Sequence, residues 1–258
     1  MEISGHHVMI TGANRGIGRA VAMMCAENKA HLHLVNRTPD DELLEALKTA
    51  GASSVTQYQA DLGTRAGVDA FLRAHGALEV DILFNNAGQL TGGLFETQEF
   101  DEIETMMQVN VNALIQLSRH YLPGMLTRKT GKIINHSSVA AYMHFPCAST
   151  YAASKAAVAA FTDCLHTELK GTGVSTLLLI TAGVETRMFK DIPKLYGKNL
   201  DVTWLTSIPP KKYAEMIKEA ILEDLDVLKP HGLSGLGLRF AQHLPEAFQK
   251  IVTKRFTR

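Results

Sequence analysis

Tyr151 and Lys155 stand in the run YAASK, one helical turn apart. An i, i+4 spacing puts both side chains on one face of a helix, roughly 6 Å apart. A phenol with a reference pKa near ~10 is a poor acid or base at neutral pH, but an ammonium beside it favours the phenolate and lowers that value. The pair is therefore equipped to move a proton. Upstream, GKIINHSSVA closes a short apolar run with Ser137 and Ser138. Neighbouring strand residues point to opposite faces, so only one of these hydroxyls faces the site that holds Tyr151.

A different chemistry is written near the start of the chain. TGANRGIG, residues 11–18, brings Gly12, Asn14, Arg15, Gly16, Ile17 and Gly18 between an apolar run and a helical one. Glycines there let the backbone turn sharply and let its N–H groups approach a pyrophosphate, which the helix N-terminus attracts. The next apolar run ends at Val35-Asn36-Arg37, where a dinucleotide fold places its ribose-reading side chain. An acid at that place would hold a 2′-hydroxyl and repel a 2′-phosphate. Asn36 is neutral, Arg37 is cationic, and Arg15 adds a second guanidinium. Planar forks of this kind grip a phosphate by charge-assisted bonds. NADP(H) is favoured, with NAD(H) as the alternative.

The elements that must position these groups alternate. Strands are predicted at 7–10, 31–35, 54–59, 82–84, 132–135, 175–180 and 226–228. Helices are predicted at 17–30, 41–50, 65–75, 100–122 and 151–170. Short β-branched runs flanked by longer helices describe a parallel sheet, because parallel strands need helical crossovers and the crossovers cover both faces. The expectation is an α/β chain, one doubly wound domain over 1–258. Within its 258 residues, 46% are hydrophobic and 26 Lys+Arg balance 26 Asp+Glu. Such neutrality argues against nucleic acid, which demands a cationic face. The three cysteines form no CxxC pair and the 11 histidines no HExxH, so no metal site is expected and a reducing compartment is favoured. Neither a leader nor a spanning segment is visible, and the cytoplasm is the expected location.

Taken together, the glycine turn with Thr11, the NNAG of residues 85–88, the VNVNA of 109–113, the serine and YAASK resemble the short-chain dehydrogenase/reductase family, in register over about 1–186. The resemblance implies a Rossmann-type fold and hydride transfer between a nicotinamide and a carbonyl or alcohol carbon. It selects Ser138 over Ser137 and adds Asn110. Tyr151 would protonate the developing alkoxide, Ser138 would hydrogen-bond the same oxygen, Lys155 would lower the tyrosine pKa and hold the nicotinamide ribose, and Asn110 would hold a relaying water. On the cofactor side it adds Asp61, Leu62, Asn86, Ala87 and Gly88, with Val184 and Thr186 at the carboxamide. It also implies a homodimer built on the helices carrying Asn110 and Tyr151.

Two features depart from the family pattern. Ala182-Gly183 stands where Pro-Gly is usual, which frees the loop beside the nicotinamide. The usual Asp-Gly-Gly ending is absent too. Residues 187–208 lose the strand–helix rhythm but stay apolar, and in this family that insertion is a substrate lid. With Tyr142, Met143 and Phe145 opposite, the lid suits a largely apolar carbonyl or alcohol, more plausibly reduced than oxidised if NADP(H) is the cofactor. Residues 229–258 carry Lys229, Arg239, Lys250, Lys254, Arg255 and Arg258 against Glu246 alone, a tail of +5 on a neutral chain. Its stripe of Phe248, Ile251, Val252 and Phe256 predicts a helix packed on its own domain or on a partner subunit, with contact to an anionic membrane surface as the minor reading. His136 and His144 lie near the site and could tune substrate choice, although a tautomer-satisfied structural role is the default. Cys147 is read as an inert lining thiol.

Overall fold

A computed structural model describes residues 1–258. The chain begins β1 (His7–Thr11), α1 (Gly16–Glu27), β2 (His31–Asn36), α2 (Asp41–Thr49), β3 (Ser54–Gln59), α3 (Arg65–His75) and β4 (Ile82–Asn85). It continues through α4 (Phe100–Met107), α5 (Ala113–Arg128), β5 (Gly131–Ser138), α6 (Ser149–Glu168) and β6 (Val174–Thr181). It closes with α7 (Arg187–Tyr196), α8 (Pro210–Leu222), β7 (Val227–Leu228), α9 (Gly232–His243) and α10 (Pro245–Thr253). The seven strands form one parallel sheet in the order β3-β2-β1-β4-β5-β6-β7.

Alternation along each strand assigns its residues to two cores. Val8, Ile10, Leu32, Leu34, Ile82 and Phe84 face α1, α2 and α8 through Val21, Leu43, Leu47 and Ile217. Met9, Val35, Leu83 and Ile133 face α3, α5 and α6 through Phe71, Leu117, Tyr121 and Leu165. Both faces are apolar because both are covered, as parallel sheets require. Side-chain caps start several helices: Asp40 accepts from Leu43 N at 2.9 Å, Thr64 from Gly67 N at 3.0 Å and Thr186 from Phe189 N at 3.2 Å. Pro210 and Pro245 open α8 and α10, where the missing N–H costs nothing. Strand order reverses between β1 and β4, and the crevice at the strands' C-terminal ends at that switch point is where open α/β sheets hold ligands.

Three predicted elements need correction. The helix expected to run unbroken over 100–122 contains a π-turn at Gln108–Asn112 and continues to Arg128 past Pro123. Residues 187–208 are not wholly irregular, since they include α7; Met188, Phe189, Ile192 and Tyr196 recur at helical spacing that Pro193 disguises. Below α7, Val184 and Ile208 bridge in parallel. The tail forms two helices rather than one stripe. Phe248 and Val252 are buried, whereas Ile251 is 51% exposed because it sits on the flank of α10, and Phe256 lies beyond that helix, bridging Leu200. Leu236 and Leu244 of the tail are exposed. Arg255 pairs with Asp201 at 2.7 Å and Arg258 with Glu96 at 2.6 Å, pinning the basic end beside α7. No helix is long and apolar enough to cross a membrane.

Candidate active site

The β1–α1 turn is built for close backbone approach. Gly12 (φ +69°) and Gly16 (φ +58°) occupy left-handed backbone that side chains disfavour, and a Cβ on Gly18 would collide with Gly12 O and Asn86 Nδ2. Thr11 Oγ1 accepts from Asn86 N at 3.0 Å and Ala87 N at 2.9 Å, tying this turn to the end of β4. Asn86 Nδ2 donates to Thr11 O and Gly12 O at 2.9 and 3.0 Å. The first turn of α1 holds no acid, and its N-cap, Arg15, supplies no side-chain cap, so its N–H groups stay open to an anion. Ile17 packs inward against the core.

Asn36 does not face outward as a ribose reader would. Its Oδ1 accepts from Ala13 N at 2.7 Å, bracing the glycine turn, and its buried Nδ2 has no partner. Asn14 donates to Thr38 O at 2.7 Å and leaves its own Oδ1 buried and unpaired. Arg15 and Arg37 are exposed and enter no ion pair, whereas nearby Arg19 is held by Asp40 at 3.3 Å. Asp61 is exposed and receives Gly63 N at 2.9 Å; Leu62 is buried. The open helix end and the glycine cradle fit the pyrophosphate of a dinucleotide, which the Gly12–Gly18 turn would hold. Thr186 spends its hydroxyl capping α7 and places Cγ2 beside Gly16. Val184 is buried with the core. A Cβ on Gly183 would collide with Thr206 O, so that glycine is dictated by packing.

At the other end of the crevice the two serines of β5 part company, as alternation demands. Ser137 is buried and donates to Lys155 O at 2.8 Å. Ser138 turns to the site, accepts from Ala140 N at 3.2 Å and acts on the Tyr151 hydroxyl in the sense that favours its ionised form. Tyr151 and Lys155 lie on α6, with Nζ 5.8 Å from the phenol ring centre. Lys155 Nζ donates to His136 O at 2.8 Å. Asn110, on the π-turn, is 2% exposed; its Oδ1 accepts from Gln89 N at 2.8 Å and its Nδ2 donates to Gln89 O at 3.0 Å. Asn112, two residues on, is exposed. Gly88 lies against both Asn110 and Lys155, where a Cβ would come 3.3 Å from Asn110 Oδ1.

Burial dominates the electrostatics of the pair. Burial pushes the Tyr151 hydroxyl up to about 12, only partly offset by Ser138, and pulls Lys155 down to about 8. Loss of water disfavours the phenolate, and the Lys155 ammonium donates to the His136 carbonyl. What results is a protonated phenol beside a lysine that titrates near neutrality.

Residues of the lid and tail segments complete the walls. Tyr196 of α7 is buried, donates to Thr91 O at 3.1 Å, and occupies the space where a Cβ on Gly92 would sit. It packs in one apolar cluster with Met143, Cys147, Leu200, Phe248 and Val252. Burial also pushes the Cys147 thiol up, away from the reactive thiolate.

Residues 6–196 match the sequence profile of the short chain dehydrogenases. The chain belongs to the short-chain dehydrogenase family. A fatty acyl-CoA reductase of Acinetobacter baylyi is 33% identical over 231 residues, covering 86% of this chain and 75% of that protein. Among solved structures, a short-chain dehydrogenase of Sphingobium yanoikuyae in complex with NADPH superposes with a TM-score of 0.74 at 28% identity, covering 96% of this chain and 95% of that one. A family member from Burkholderia phymatum in complex with NAD gives 0.78 at 28% identity, covering 96% of each. Like its short-chain dehydrogenase relatives, the chain is an oxidoreductase of carbonyl or alcohol groups.

Proposed function

We propose that this short-chain dehydrogenase reduces the ketone or aldehyde of a largely apolar small molecule with NADPH. The observation that carries the reading is the placement of Tyr151 on α6 one helical turn from Lys155, whose Nζ lies 5.8 Å from the phenol ring, with Ser138 at the end of β5 on the same site. When bound, the nicotinamide supplies a hydride to the carbonyl carbon. Tyr151 gives its proton to the carbonyl oxygen as charge develops there, and Ser138 donates to the same oxygen. The Lys155 ammonium stabilises the phenolate left behind. Asn110 fixes the π-turn beside Lys155, from which a water could return the proton.

Arg15 and Arg37, exposed and unpaired beside the glycine turn, support a 2′-phosphate and hence NADPH over NADH. Related structures hold either cofactor, so the preference for NADPH rests on the two arginines alone. The apolar cluster joining Met143, Tyr142 and Phe145 to the lid residues Ile192, Leu195 and Tyr196 supports an apolar substrate portion. A partly exposed apolar stripe of Met107, Ile115, Ala157 and Phe161 over α4–α6 supports a homodimer.

A panel of apolar ketones and aldehydes, followed by loss of NADPH absorbance and repeated with NADH, tests the proposal. Turnover with NADPH well above that with NADH is expected. Oxidation of neither cofactor by any carbonyl, alongside reduction of NAD by alcohols, would overturn it.

A further inference from the structure

One chain of side-chain hydrogen bonds crosses the cofactor crevice without a part in the proton transfer. At its centre is His136 of β5, whose ring lies between those of Phe84 and Tyr213, with centres 6.4 and 6.5 Å away. Its Nδ1 is 3.2 Å from Asn86 Oδ1 and its Nε2 is 2.8 Å from Thr181 Oγ1. Tyr213 OH is 2.7 Å from the same Oγ1.

The direction of each bond follows from what its partner can do. Thr11 O and Gly12 O only accept, so the amide facing them is Asn86 Nδ2 and the oxygen faces His136. Nδ1 must therefore carry a hydrogen and donate. Desolvation pulls the ring down to about 3, leaving Nε2 with a lone pair that accepts from Thr181. Tyr213 then donates to Thr181. Every polar atom of the ring is used, and each end leads to a cofactor-facing segment: Asn86 to the glycine turn, and Thr181 to the Ala182–Gly183–Val184 loop. The backbone carbonyl of the same residue accepts from Lys155 Nζ at 2.8 Å.

We infer that His136 is a positioning residue that spaces the phosphate cradle from the loop on the opposite side of the crevice, with Nδ1 serving the cradle and Nε2 the loop. The inference rests on the proposed nicotinamide-dependent activity. It assigns separate tasks to two atoms of one side chain, which a merely space-filling histidine would not have.

The test uses the full chain as wild type and as His136→Leu, His136→Asn and His136→Gln, read by fluorescence titration of NADPH and by thermal unfolding. An Asn amide can replace the Nδ1–H donor to Asn86, whereas a Gln amide reaches the Nε2 position and can accept from Thr181. His136→Leu is expected to weaken NADPH binding about tenfold, the scale of a buried donor–acceptor loss. His136→Asn is expected to restore affinity to within about threefold of wild type. His136→Gln is expected to stay near the Leu value although its melting temperature matches that of the Asn variant. Should the Leu variant fail to fold, the Asn and Gln pair carries the comparison. Equal affinity in Asn and Gln, or an affinity that simply follows melting temperature, would overturn the inference. A wild-type protein that binds no NADPH would instead overturn the proposed function beneath it.

Discussion

Asn110 Nδ2 donates to Ser154 Oγ at 3.0 Å, and Ser154 Oγ donates in turn to the backbone carbonyl of Tyr151 at 2.7 Å. The π-turn is thereby fastened to the first turns of α6, the segment that aims the phenol. Asn110→Ala would strip partners from Gln89 and Ser154, both drawn into a buried network. Leaving such groups unpaired costs about 1–3 kcal/mol each. We expect stability to fall by at least about 2 kcal/mol in urea unfolding, with turnover reduced in the fraction that stays folded.

The proposed role of Lys155 gives the reaction a pH dependence. Burial holds its ammonium near about 8, and only the charged form stabilises the phenolate that Tyr151 becomes. Carbonyl reduction should therefore fall as pH rises through about 8. Lys155→Met should be slow at pH values below that and should lack this limb. A pH–rate profile of each protein checks the point; a limb retained by Lys155→Met would assign it to another group.

Much of this arrangement was legible in the residues alone. The i, i+4 relation of Tyr151 and Lys155 needs only a helix, and Gly12, Gly16 and Gly18 mark a turn by their side-chain absence. Alternation separated Ser137 from Ser138 without saying which faced the site. Other features depend on distant partners. The π-turn adds a residue that blurs helical spacing only locally, so VNVNA reads as plain helix. Asn36 turns to Ala13 N because the glycine loop leaves that donor open, a contact between segments that no local pattern encodes. The raised Tyr151 pKa has a similar origin, since the burial that causes it comes from walls assembled from remote stretches of chain.

In the proposed function, cofactor choice rests on Arg15 and Arg37. Replacing Arg37 with Ala should weaken NADPH by roughly ten- to hundredfold, the value of a charge-assisted contact to phosphate, and leave NADH nearly unchanged. Parallel titrations with both cofactors measure this. Tighter binding of NADH than NADPH by the wild-type protein would remove the role given to the arginines.

Acid should unfold the protein through histidines kept neutral by the fold. His33 is stacked on His7, with ring centres 5.3 Å apart, and its Nε2 is 3.0 Å from His7 Nδ1. Burial first, and then the charges of His7 and His31, pull it down to about 4, while burial takes His136 to about 3. Both lie below the unfolded value near ~6.5, so the unfolded chain binds more protons between these limits. Their stability is complete above pH ~6.5 and is lost as pH falls toward 4, at roughly 1 kcal/mol per pH unit for each histidine. Chemical denaturation at a series of pH values should show this slope, and His33→Gln should make it shallower.

The central claim is that Tyr151 donates the proton. Single-turnover oxidation of pre-bound NADPH by the best carbonyl of the panel, in wild type and in Tyr151→Phe, tests it most directly. The account predicts a rate at least ~100-fold lower in the Phe variant, the scale of a lost general acid, with NADPH affinity nearly unchanged. A wild-type rate in Tyr151→Phe would contradict it.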